Sequence, residues 1–148
     1  MNEKLKLPDG WRSEVTMSDM AGIFKSYDRA VSDSVGVAGF LSMLQGGLVF
    51  IHDKAWVCFT DVLPGARATM HGGKFSVKDD VEKEFKEILN FIKEKFELKA
   101  FYALIPDGFS DAISLVKRHS FKEHGLLPFY DKYGGEFDNL MFFVKYMD

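Results

Sequence analysis

The clearest pattern along the chain lies between Asp79 and Phe96. Val81, Phe85, Ile88, Ile92 and Phe96 recur at i, i+3 and i+4 spacing, and Glu82, Lys86, Lys93 and Glu94 fill the opposite face. That period predicts an amphipathic helix. Glu82 and Lys86 add a favourable i,i+4 pair. Asp79 and Asp80 suit the positive end of the helix dipole. Three further helices follow from the same reasoning. One runs from the caps Ser18 and Asp19 to about Val31, with Met20, Ile23, Phe24 and Tyr27 on one face. A second covers Val37 to Gln45 and stops at Gly46-Gly47, where glycine permits a left-handed turn. The last carries Phe109, Ala112, Ile113 and Val116 on its apolar face.

Between these lie runs with strand character. Trp11 to Thr16 predicts a short first strand. Leu48 to His52 and Ala55 to Val62 are β-rich and joined by Asp53-Lys54, which reads as a hairpin. Pro64-Gly65 turns the chain into Ala66 to Phe75, a strand weakened at Gly72-Gly73, where a bulge or a close backbone approach fits. Lys99 to Ile105 contains the unbroken apolar run AFYALI, the signature of a strand buried on both faces. Phe121 to Tyr130 and Phe137 to Tyr146 are the last two strands, separated by Gly134-Gly135.

The strand–helix–strand unit around Asp79 to Phe96 calls for a right-handed parallel crossover, and the remaining connections read as antiparallel. The fold class is therefore mixed α/β (α+β). It is a three-layer domain with one mostly antiparallel sheet and helices on both faces. No repeat, low-complexity tract or linker divides the chain, so residues 1–148 are read as a single domain.

Composition narrows the function classes. The chain has 148 residues, 47% hydrophobic and 15% aromatic, which supplies a substantial core. Its net charge of −3 and the lack of a basic stripe argue against binding nucleic acid. Cys58 is the sole cysteine, and no Cys/His cluster has zinc spacing, so neither a disulfide nor a metal is expected. The N-terminus has no apolar leader, and no apolar run is long enough to span a membrane. A cytoplasmic protein that does not bind membranes is expected.

The order of elements resembles the GNAT acetyltransferase fold along essentially the whole chain. The local wording is similar too. Ala112-Ile113-Ser114-Leu115 followed by Ser120-Phe121-Lys122-Glu123-His124-Gly125 resembles the family's Ala-Ile-x-Leu helix, Gly-Phe and Glu-x-Gly. The chain's small size and its ending PFYDKYGGEFDNLMFFVKY also resemble GNAT-like proteins encoded by tailed phages, some labelled head-assembly or internal virion proteins. The first resemblance implies an acetyl-CoA-dependent N-acetyltransferase with an amine acceptor. The second implies a non-catalytic protein acting in virion assembly or binding a host protein in the host cytoplasm, through a protein partner or as a homo-oligomer.

Two features depart from the family's pattern. GNAT enzymes hold the acetyl-CoA pyrophosphate with (Arg/Gln)-x-x-Gly-x-(Gly/Ala) opening the long helix, where free N–H groups cradle an anion. Here that region reads Gly72-Gly73-Lys74-Phe75-Ser76-Val77-Lys78-Asp79-Asp80-Val81-Glu82, with carboxylates where phosphates would sit. Many members also protonate the leaving thiolate with a tyrosine five residues before the Phe of Gly-Phe. That position is Val116, which has no proton to give. The family's asparagine near the start of that helix is replaced by Phe109.

Candidate residues follow from the resemblance. His71 ends the strand that lies beside the cofactor and can act as a base near neutral pH; a polar strand end is the alternative. Tyr130 and Tyr133, near the turn over the acceptor site, are candidate acids or partner contacts, against plain surface tyrosines. Lys74, Phe75, Val77 and Lys78 are the candidate cofactor contacts, with loop lysines at the surface as the competing reading. His52, His119 and His124 read as surface residues. Cys58, between Val57 and Phe59, reads as a buried inert thiol.

Overall fold

A computed structural model describes residues 5–26, 36–76, 78–131 and 137–147. In chain order the elements are α1 (Met17–Ser26), α2 (Gly36–Gly46), β1 (Leu48–Ile51), β2 (Ala55–Leu63), β3 (Arg67–Lys74), α3 (Glu82–Phe96), β4 (Ala100–Pro106), α4 (Ser110–Arg118), β5 (Lys122–Asp131) and β6 (Phe137–Tyr146). The strands form one sheet in the order β1-β2-β3-β4-β6-β5. All neighbours are antiparallel except β3 and β4, which run parallel and are linked through α3. The expected mixed sheet with one crossover is therefore present. The expected strand at Trp11 to Thr16 is reduced to one antiparallel bridge, Arg12 to Ile51. Beyond it, Thr16 and Asp19 are engaged in capping α1.

Alternation along β2 sorts the core into two layers. Ala55, Val57 and Phe59 face a large cluster with Ala68, Met70, Phe101, Ala103 and Ile105 of the sheet and Phe85, Ile88 and Ile92 of α3. Trp56 and Cys58 face the opposite side, with Ile23 of α1, Leu44 of α2 and Ile51. Helix α3 buries Phe85, Ile88, Leu89, Phe91 and Ile92. Each such side chain stabilises by about 1.5–3 kcal/mol on burial. That exceeds the few tenths from a surface Glu–Lys pair, so packing holds this helix.

Caps differ in detail from the sequence reading. Helix α1 starts on a reciprocal pair. Asp19 N–H donates to Thr16 Oγ1 at 3.1 Å, and Thr16 N–H donates to Asp19 Oδ2 at 2.8 Å. Thr16 is thus the cap, and Asp19 closes the box rather than opening the helix. At the end of α2, Gly47 serves close packing and not a left-handed turn, because Gly10 and Gly65 alone among the described glycines have positive φ. A Cβ on Gly47 would lie 2.5 Å from Cys58 Sγ.

The structure separates the two alternatives for Gly72 and Gly73. They sit in regular register with Val57 and Trp56, and the irregularity of this hairpin falls at Thr60/Leu63. A Cβ on Gly73 would meet Trp56 Nε1 at 2.8 Å, and one on Gly72 would meet Trp56 O at 2.9 Å. Close approach, not a bulge, explains this pair. Among the described residues no helix is long and apolar enough to cross a membrane, and no cluster of His, Cys, Asp and Glu could hold a metal.

Candidate functional site

The parallel pairing of β3 with β4 is short. Arg67, Ala68 and Thr69 pair with Ala100, Phe101 and Tyr102, and the pairing goes no further. Beyond it, β3 continues to Lys74 against β2, while β4 continues to Pro106 against β6. The two strands part, leaving a notch between Met70–Lys74 and Ala103–Pro106. Backbone groups turned into a notch lack a ladder partner and are available to a ligand.

The notch opens on the α1/α2 side of the sheet. Register carries Trp56, Cys58, Thr60, Thr69, His71, Tyr102 and Leu104 onto that face. Helix α1 packs on β3, and α2 packs on β1 and β2. The cluster beneath them holds no residue of β4, β5 or β6. A cavity of about 420 Å³ therefore remains open beside the notch. Thr69 and Tyr102 line it at the point where the strands part, and Leu104, Leu126, Leu127 and Phe142 complete an apolar wall. Leu104 is 43% exposed and Leu127 55%. The AFYALI run is thus not covered on both faces as the sequence suggests, because the covering helices stop at β3. Tyr102 packs edge-on against Phe142 at 5.2 Å, and the Arg67 guanidinium lies over its ring at 5.6 Å.

His71 stands two residues beyond the last parallel pair, partly buried, with Nε2 2.9 Å from Thr60 Oγ1. Burial pulls its pKa down, with a small opposing effect from Asp61. The ring is neutral at pH 7. If Nε2–H donates to Thr60, Nδ1 is left to take up a proton. Thr60 was not singled out from the sequence. Its hydroxyl becomes relevant only through the β2–β3 register.

The other candidates do not gather around His71. Lys74 Nζ donates to Asp79 O at 3.0 Å, tying down the loop before α3. Phe75 turns into the α1/α2 cluster, and its ring packs on Gly22. Lys78 is exposed in the loop. Val77 and Tyr133 lie outside the described residues, as does the Gly134-Gly135 turn. The backbone of Tyr130 pairs with Asp138 at the far end of β5, and its side chain lies outside what is described. Cys58 is fully buried, and burial pushes its thiol up to about 12, which makes it inert. Val116 is core.

His119 corrects the surface reading. Its side chain is 9% exposed, stacks edge-on against Phe85 at 4.7 Å, and brings Nε2 within 2.7 Å of Glu82 Oε2. His52 packs against Trp11 at 5.2 Å, and its Nδ1 accepts the Lys54 N–H, so it too is half-buried. His124 is exposed as expected, beside Tyr146.

The start of α3 decides how a phosphate would fare. Glu82 N–H donates to Asp80 Oδ1 at 3.0 Å. Burial alone would raise the Glu82 carboxyl, but Arg118 and His119 outweigh it and hold it below its usual range. Glu84 behaves likewise: burial is outweighed by its own backbone N–H and by Lys54, whose Nζ lies 3.1 Å from Glu84 Oε1. One donor of the first turn, the Glu82 N–H, is thus occupied by the chain's own carboxylate, with the Glu82 and Glu84 carboxylates close by. A phosphate oxygen about 4 Å from such a carboxylate is repelled by about 1 kcal/mol in water and about 4 kcal/mol near a protein surface. The residues present fit the thin arm of acetyl-CoA in the notch. They do not fit its pyrophosphate at α3.

No family model matches the sequence, and no curated protein is significantly similar to it. The fold, however, is that of the GNAT acetyltransferases. The chain superposes on a putative phosphinothricin N-acetyltransferase with a TM-score of 0.75 at 15% identity, over 93% of this chain and 98% of the other. A ribosomal-protein-alanine N-acetyltransferase from Brucella melitensis gives 0.69 at 16% identity, over 93% and 99%. A putative acetyltransferase from Salmonella typhimurium, solved with its cofactor acetyl-CoA, gives 0.64 at 14% identity, over 95% of each chain.

Proposed function

We propose that this chain is an N-acyltransferase of GNAT fold that takes its acyl group from a thioester held in the β3–β4 notch. The observation that carries the reading is the divergence of β3 and β4 after Thr69 and Tyr102, with a neutral histidine just beyond it. The neighbours' acetyltransferase names and the Salmonella protein's acetyl-CoA support it.

In the reaction an amine nitrogen bonds to the acyl carbon, the carbon–sulfur bond breaks, and the thiolate leaves. His71 takes the proton shed by the amine, with Thr60 holding the ring, and the thiolate takes a proton from water. Backbone N–H groups along the notch stabilise the developing oxyanion. The cavity wall of Leu104, Leu126, Leu127 and Phe142 excludes water from the acyl end. Val116 leaves α4 with no protonating side chain at the family's usual place, so this step relies on solvent.

The test is release of free thiol from acetyl thioesters in the presence of a panel of primary amines. The expected result is turnover that falls about 10²-fold in His71→Gln, the lower range for loss of a general base. Release no faster than the uncatalysed rate with every donor would refute the reading.

A second reading rests on the occupied α3 start and the buried Val116. In it, as the resemblance to phage assembly proteins implies, the GNAT frame is a non-catalytic scaffold, and the open face of β4, β6 and β5 is where it binds a protein partner. It expects no thiol release and a stable complex or oligomer.

A further inference from the structure

The notch and the start of α3 treat the two ends of a coenzyme A thioester in opposite ways. The arm would lie in an open apolar notch. The phosphates would meet Asp80 already on the Glu82 N–H, with the Glu82 and Glu84 carboxylates beside it. Nor is cationic charge held in reserve. Lys54 pairs with Glu84, Lys83 with Glu87 and Arg118 with Glu82, while Lys74 is bound to the Asp79 carbonyl. Lys78 lies in an exposed loop. The acids and cations of this corner balance one another, so nothing draws in a polyanion.

We infer that the acyl donor of this chain is a pantetheine-type thioester with no pyrophosphate seated on α3. The inference rests on the acyl-transfer reading above and narrows its donor. A neutral arm gains the notch and the cavity wall without displacing the Asp80 contact. A nucleotide-bearing donor gains the same contacts and must displace Asp80 from the Glu82 N–H or swing its phosphates into solvent. Either way its nucleotide adds no affinity.

Two sources share this chemistry: a free acyl-pantetheine, and a thioester mounted on a carrier protein through a single phosphodiester. The probes are acetyl-pantetheine, acetyl-CoA and an acetylated phosphopantetheinyl carrier protein, each titrated calorimetrically into the full chain. Acetyl-pantetheine is expected to bind at least as tightly as acetyl-CoA. The double variant Asp80→Ala, Glu82→Gln frees Arg118 and the first-turn N–H of residue 82 and removes two carboxylates from the helix start. It should raise acetyl-CoA affinity tenfold or more and leave acetyl-pantetheine within about twofold, with circular dichroism confirming the fold.

A carrier-mounted thioester binding tenfold tighter than the free one assigns the protein-bound source, and equal affinity assigns the free one. Tighter binding of acetyl-CoA by the wild-type chain overturns the inference and leaves the acyltransferase reading standing. So does an acetyl-CoA affinity that does not change in the double variant. Failure of all three donors to bind overturns both.

Discussion

Strands β1–β3 and strands β4, β6 and β5 belong to one sheet but differ in cover. The first group is packed on both faces, by α3 on one side and by α1 and α2 on the other. The second group has its large-cluster face filled by Phe101, Ala103, Ile105 and Phe143, while the other face leaves Leu104 and Leu127 in contact with solvent. Side chains of the same type thus contribute stability in one half and are available to a ligand in the other. The boundary is the notch itself, because a sheet covered evenly on both faces would leave no access to it.

Substitutions can break that comparison. The largest effect is expected for Trp56→Ala. This side chain is fully buried under α1, and its indole N–H donates to Ser26 Oγ at 2.8 Å. Loss of a buried aromatic costs about 3–5 kcal/mol, read by urea unfolding. Gly73→Ala comes next. Its Cβ would meet the Trp56 ring, and overpacking of this kind costs about 1–3 kcal/mol.

His71→Gln sharpens the boundary through pH. Burial holds the imidazole below its ordinary value of 6.5, so on acidification the unfolded chain takes up this proton first. The resulting stability is fully present above 6.5 and is lost as pH falls from there through the lower folded value. Denaturation between pH 7 and 5 should show a shallower loss in the variant than in the wild type. An identical slope would mean that His71 is not held neutral. The smallest effect belongs to the open half. Leu127→Ser should change stability by no more than about 0.5 kcal/mol, while thioester binding weakens measurably by calorimetry.

What could be read in the sequence follows from the range of each interaction. The α3 face, the β1–β2 hairpin and the parallel crossover rest on periodicity and local turn chemistry, and they appear close to where the pattern puts them. The strand expected at Trp11 to Thr16 shrinks to a single bridge because Thr16 and Asp19 serve the α1 cap. The exposure of Leu104 could not be read from AFYALI, since it depends on where α1 and α2 end in space. The acidic character of the α3 start was visible in Asp79, Asp80 and Glu82. That Arg118 and His119 close over Glu82 was not, because α4 reaches it across more than thirty residues of chain. Thr60 beside His71 has the same origin in register.

The placement of Trp56 has an optical consequence. The chain has two tryptophans, and both indoles are shielded from water. Trp56 is tied to Ser26, the last residue of α1, so its emission is set by whether that helix end stays down on the sheet. In Trp11→Phe, the wavelength of the remaining indole becomes a built-in reporter of α1. A red shift on adding an acyl donor would signal that the helix end lifts as the notch is filled, and a constant wavelength would signal a cover that stays closed.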